Sequence, residues 1–156
     1  MGQVPLLKLE GGTVLCQSKA IERYVAAALQ LNGASAVEAA KIDAVGELLA
    51  DVRTKLNGAK DEAARAVALE FLGKALGYVS AFIAAAGSGH AVGASLSLAD
   101  IQLYSFAHHF NAGELKERVA AAIAAAPAVA ALVAKVGAIA GIADWEKGRA
   151  ARGEAF

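Results

Sequence analysis

The side chains able to do chemistry are few here, and most of them stand apart from one another. His108 and His109 are neighbours, so on a helix they diverge by about 100° and cannot hold one ion between them; the third histidine, His90, lies in a glycine-rich stretch. The single cysteine, Cys16, can form neither an internal disulfide nor a cysteine-built zinc site, so no metal centre is expected. Cys16 sits in an apolar run and reads as a buried structural thiol. Tyr24, Tyr78 and Tyr104 fall within helical patterns, and none is placed as a catalytic group. The backbone offers more. In "QVPLLKL" Pro5 has no N–H, which marks an edge strand, and an edge can take up an extended peptide as one more strand. Gln17 and Ser18 stand where strand gives way to helix, and the unpaired N–H groups of a helix start attract a carboxylate. On residues alone, Pro5 only ends an edge strand, Ser18 only caps a helix, and Asp51 is a solvated aspartate on a helix with Arg53 on the adjacent turn.

Those groups need a scaffold, and the bulk composition limits which scaffolds are possible. At 156 residues the chain suits one compact unit with a real core. Fifteen basic and fifteen acidic residues give zero formal charge, which lacks the electrostatic footprint of a nucleic-acid binder. One cysteine fits a reducing compartment, either cytoplasm or the interior of an organelle. Although 57% of the residues are hydrophobic, the most apolar stretch, Val119 to Ala134, contains Pro127 and is closed by Lys135. It falls short of the ~20 apolar residues a membrane span needs and reads as two short buried helices. The N-terminal residues show no secretory signal pattern.

Along the chain, "VPLLKL" (4–9) and "TVLC" (13–16) read as strands joined by a turn in which Gly11 and Gly12 take positive φ. From Ser18 the period becomes helical, with Ile21, Tyr24, Val25 and Ala28 on one face. Ser35 and Glu38 have capping-box spacing and open a long helix to about Leu56. A third helix runs from Asp61 to about Ala85, with Val67, Phe71, Leu72, Leu76, Val79 and Phe82 inward. "SLAD", Ser97 to Asp100, is a second capping pair with a structural role. The helix it opens, Leu98 to about Phe110, is apolar on nearly every side and belongs in the middle of a bundle. Two alanine-rich helices follow, then a tail containing "DWEKGR" in which Trp145 reads as a lid on the bundle. The pattern predicts a hairpin and helix followed by about five helices. A two-stranded ribbon is marginal by itself, so the hairpin depends on what it packs against.

The combination of "GQVPLLKLEGGTVLCQSKAIERYV", "DAVGELLADVR", "VGASLSLADI" and "GIADWEKGR", in that order, resembles the glutathione S-transferase family, most closely its sigma-like class. The resemblance implies an α+β, mostly α fold. Residues 1–32 would form part of a thioredoxin-like, glutathione-binding subdomain, and residues 33–156 an all-helical C-terminal domain. It implies that Gln3, Val4 and Pro5 line glutathione, with Val4 offering its backbone to the tripeptide. Gln17 and Ser18 would hold the γ-glutamyl carboxylate, and Asp51 would reach across a dimer interface to the amino group. The family's first strand, first helix and second strand have no counterpart here, and the hairpin turn is one residue longer. In active classes the thiol-activating tyrosine or serine comes from that first strand, so no catalytic residue is assigned. The expected function is therefore a non-catalytic dimerising or docking subunit, homodimeric or in a larger assembly, with glutathione as a ligand. The alternative is an active transferase whose N-terminal segment is missing or supplied in trans. An apolar edge from Val4 to Leu9 favours pairing with some protein partner.

Overall fold

The computed structural model describes residues 4–110 and 114–153, without the side chain at position 114. Gln3 lies outside the described residues.

The chain opens with strands β1 (Leu6–Lys8) and β2 (Val14–Cys16), antiparallel, with Leu6 facing Cys16 and Lys8 facing Val14. A single 3-10 turn, Glu10–Gly12, connects them. Gly11 at φ 83° and Gly12 at φ 87° occupy the left-handed region where other residues are strained, so the "EGG" reading holds. The paired segments are shorter than the apolar runs, and among the described residues β1 and β2 bond only to each other.

Helix α1 (Ser18–Ala28) follows at once. Of the face read from its periodicity, Tyr24 and Val25 are exposed and Ala28 is too; the residue that is buried is Ala26. The helix turns that side toward the strands and α4 (Leu98–His109), so its packing follows its neighbours rather than its strongest apolar stripe.

Helix α2 (Ala36–Gly58) starts at Ser35, whose hydroxyl accepts the Glu38 N–H at 3.2 Å. Glu38 returns to the Ala34 N–H at 2.6 Å, one residue upstream of a reciprocal box. Helix α3 (Glu62–Ala86) is capped by Asp61, which accepts the Ala64 N–H at 2.8 Å, and ends at Gly87 in a left-handed turn. Its buried stripe is Ala68, Leu72, Ala75, Leu76, Val79 and Ile83. Val67, expected inside, is 66% exposed, because it lies about 100° round from Ala68 on the helix surface.

Helix α4 runs through the centre, against α2 and α6 (Pro127–Gly137) and in touch with α1 and α5 (Glu114–Ala124), with Leu98, Ala99, Asp100, Leu103, Tyr104 and Phe106 buried. Helices α5 and α6 meet at a bend of 107°, with Pro127 in the first turn of α6 where its missing N–H costs nothing. Helix α3 is long and apolar enough to cross a membrane; here its inner face packs against α2, α5 and α6.

Two readings of the C-terminal region need correction. The segment with "DWEKGR" is helix α7 (Ala140–Ala151), so six helices follow α1 rather than five. Trp145 is 60% exposed with the Arg152 guanidinium over its ring, so it is more an exposed side chain than a lid. The inner side of α7 carries only partly buried residues, Ile142, Glu146 and Arg149, two of them charged, so the apolar periodicity was too weak to mark a helix.

Candidate functional site

At the open end of the hairpin the Val4–Pro5 peptide is cis, and Val4 is 89% exposed. Continuing the register of β1 and β2 by two residues sets Pro5 opposite Gln17 and Val4 opposite Ser18. Gln17 has φ 71° and ψ 115°, a left-handed conformation that a non-glycine residue adopts only when its surroundings impose it.

Gln17 is thus the N-cap residue of α1 and Ser18 its first helical residue, which corrects the expectation that Ser18 caps the helix. Among the described residues no side chain caps this helix start and its first turn carries no acidic residue, so its first N–H groups are left with the partial positive charge of the helix end. A free strand edge and an uncapped helix start therefore share one end of the hairpin. Together they can bind a peptide backbone along the edge and a carboxylate at the helix start.

The other side of α1 is tied to the bundle by polar contacts. Glu22 accepts from Lys19 at 3.1 Å and from Gln102 Nε2 at 2.7 Å, which joins α1 to α4. Arg23 reaches Asp43 of α2 at 3.5 Å, and the Leu98 N–H donates to the Leu31 carbonyl at 2.9 Å. Gly46 makes room for the first of these links: a Cβ there would lie 2.5 Å from Gln102 Oε1. Sequence reading passed over Gly46, although a buried glycine inside a helix, costing about 1 kcal/mol against alanine, is a usable sign of close approach. Between α1, α2 and α4 lies a cleft of about 260 Å³ lined by Lys19, Glu22, Arg53, Gln102 and Ser105. Arg53 Nε, a donor, and Gln102 Oε1, an acceptor, are both buried there without a hydrogen-bond partner among the described residues.

Asp51 is not brought to Gln17 and Ser18. It is exposed on α2, about 200° round the helix from Arg53, which faces the cleft. Nor is any tyrosine brought to the hairpin end among the described residues. Tyr104 is in the core, where burial first and the Glu146 carboxylate second push its phenol up against a smaller opposing effect of Arg149. That is the wrong direction for a group meant to stabilise a thiolate.

His108 stacks on Tyr104 with ring centroids 4.3 Å apart and places Nδ1 2.9 Å from the Tyr104 carbonyl. Burial, then the Arg53 charge, pushes the His109 imidazole down. Among the described residues no three His, Cys, Asp or Glu side chains cluster as metal ligands would.

Ser97 and Asp100 form the capping box read from "SLAD". Asp100, fully buried, accepts the Ser97 N–H at 2.7 Å, the Ser97 hydroxyl at 3.0 Å and the Ala91 N–H at 2.7 Å.

Comparison with known proteins fits this arrangement. The family described as "Glutathione S-transferase, C-terminal domain" matches residues 49–149, so the chain belongs to the glutathione S-transferase family. It is 35% identical over 111 residues to probable glutathione S-transferase 7 of Caenorhabditis elegans, which is 64% of this chain and 53% of that protein. The chain spans about half the length of the curated relatives it matches. Among solved structures, monomeric Na-GST-3, a glutathione S-transferase of the hookworm Necator americanus, superposes with a TM-score of 0.77 at 25% identity, over 95% of this chain and 75% of the other. A major nematode-specific transferase of C. elegans superposes with a TM-score of 0.78 at 25% identity, over 95% and 73%. The fold is the mostly helical one of this family, with a two-stranded antiparallel sheet among the described residues.

Proposed function

We propose that these residues form the glutathione-holding half of a sigma-like transferase site and that, acting alone, they dock or dimerise without catalysing conjugation. The observation that carries this is the pairing, at one end of the hairpin, of the open Val4–Pro5 edge with the uncapped start of α1 at Gln17 and Ser18. Glutathione is an extended tripeptide with a carboxylate at each end, which suits an edge beside a helix N-terminus. Gln3, Val4 and Pro5 would line its backbone, Gln17 and Ser18 would take the γ-glutamyl carboxylate, and Asp51, exposed on α2, would serve the amino group of glutathione held by a second copy. In this reading residues 1–32 are the ligand-binding unit, residues 33–156 the docking unit, and the setting is a reducing one.

The chemistry of conjugation requires a donor that lowers the glutathione thiol pKa, and no tyrosine hydroxyl among the described residues stands at the hairpin end. The protein mixed with glutathione and an aromatic halide should form conjugate at the buffer rate. Millimolar glutathione should raise its melting temperature through binding to the folded state alone. Turnover well above buffer would overturn the docking role, and the absence of any glutathione-dependent shift would overturn the ligand assignment.

A second reading has its own support. Among the described residues Arg53 Nε and Gln102 Oε1 lie unpaired in the cleft beside α1, and β1 and β2 are paired only with each other. Both features suit the uptake of a further strand and helix, which would make the site that of an active transferase completed in trans. Activity gained on adding such a segment would establish it.

A further inference from the structure

The charges inside the cleft between α1, α2 and α4 do not cancel. Of the charged residues that line it, Lys19 and Glu22 form an ion pair of 3.1 Å, and the same Glu22 oxygen accepts Gln102 Nε2 at 2.7 Å. Arg53 is left over. Its Nε is buried without a hydrogen-bond partner, and no carboxylate among the described residues pairs with its guanidinium. Asp51, two positions earlier on α2, is exposed on another side of that helix. The charge of Arg53 also reaches His109, whose imidazole it holds down after the larger effect of burial.

The rest of the lining has a different character. Leu49, Leu98 and Ile101 form an apolar wall, and Ser105 adds a hydroxyl. A space of about 260 Å³ lies just under the ~300 Å³ at which sites for drug-sized molecules begin, so it admits one ring or a short chain. Removing a lone cation from water is costly unless an anion accompanies it, and a planar guanidinium matches the two oxygens of a carboxylate. A second carboxylate on the same small molecule finds no such partner, since the Lys19 ammonium is already engaged by Glu22.

We propose that this cleft binds a small monocarboxylic acid with an apolar body, its carboxylate on Arg53 and its body against Leu49, Leu98 and Ile101. Such a ligand supplies what the cleft lacks, one negative charge beside an apolar surface. The neutral amide of the same acid leaves the guanidinium uncompensated and binds less well. Glutathione, an extended peptide with two carboxylates and an ammonium, does not suit the space. The proposal goes beyond the glutathione reading and stands independently of it: that reading uses backbone groups at the strand edge and the start of α1, and this one a side-chain charge on α2.

The test titrates the full chain with phenylacetate and with phenylacetamide, following affinity by calorimetry and the place of binding by NMR. Phenylacetate should shift the amide signals of Leu49, Ile101 and Ser105, and phenylacetamide should bind about tenfold more weakly, the loss of one charge-assisted contact. Arg53→Gln should bring phenylacetate down to the affinity of the amide and leave the amide unchanged, while Arg53→Lys, which keeps the charge, should retain part of the preference. Saturating glutathione should leave phenylacetate binding as it was. Equal affinity for acid and amide in the wild type, an Arg53→Gln variant that still prefers the acid, or shifts gathered at Gln17 and Ser18 and abolished by glutathione would overturn the proposal. Because the glutathione test reads the start of α1 and this one reads Arg53, either reading can fail while the other stands.

Discussion

The hairpin with α1 and the bundle of α2 to α6 are built on different terms. The bundle is self-sufficient: Val45, Val52, Leu72, Val79, Leu103, Phe106, Val129 and Val136 are fully buried and come from four helices. Among the described residues the hairpin unit fully buries only Ala26 and leaves Val4, Leu6 and Val14 exposed. Its local shape comes from backbone conformation at Gly11, Gly12 and Gln17, and its placement from Glu22–Gln102, Arg23–Asp43 and Leu98–Leu31. One region gains its stability by removing apolar surface from water. The other is held in place by polar contacts and presents unpaired backbone, the arrangement a binding element needs.

The largest test of that difference is Phe106→Ala, which should cost about 3–5 kcal/mol in chemical denaturation and take both regions down together, because the hairpin has no core of its own. If the hairpin unfolded separately in the wild type, this dependence would be disproved. Asp100→Ala leaves the buried N–H groups of Ser97 and Ala91 without their acceptor and should cost about 3 kcal/mol, read as a lowered urea midpoint with an unchanged slope.

Gly46→Ala separates the two regions more sharply. The new Cβ displaces Gln102 from Glu22, and its strain is offset by the roughly 1 kcal/mol alanine adds to helix propensity. Global stability should change little, while hydrogen exchange in α1 rises and that in the Leu72 and Val79 region of α3 does not.

The smallest effect is on pH dependence. His109 is held below the ordinary histidine value by burial and by Arg53, so as pH falls below about 6.5 the unfolded chain takes up that proton before the folded one does. Its contribution to stability is therefore full above that pH and declines below it. His109→Gln should flatten that part of the melting curve against pH, and an identical profile would remove His109 as its source.

Legibility in the sequence followed the range of each signal. The glycine turn, the caps at Ser35 and Ser97 and the break at Pro127 are decided within four or five residues, so they could be read directly. The central position of α4 was legible for a related reason: a helix apolar all round has nowhere else to go. The residues of the candidate site could be named from their likeness to the family, but their roles were less visible. Ser18 became a first-turn residue because Gln17 took the left-handed cap position, and Asp51 stayed apart from both.

The rest depended on contacts between residues far apart in the chain. Glu22 and Gln102 are 80 positions apart, and His90 and Lys135 are 45 apart. Neither pairing leaves a periodic mark on the segments it joins. Val67 and Trp145 show the converse: both are apolar enough to be placed inside, and both face outward because no neighbouring element among the described residues covers them. Local backbone preference and the spacing of apolar residues specified the elements and which of them must be central. Which polar groups meet, and which apolar ones are left uncovered, depended on how the helices pack, since a hydrogen bond forms only where packing has already brought its two partners within about 3 Å.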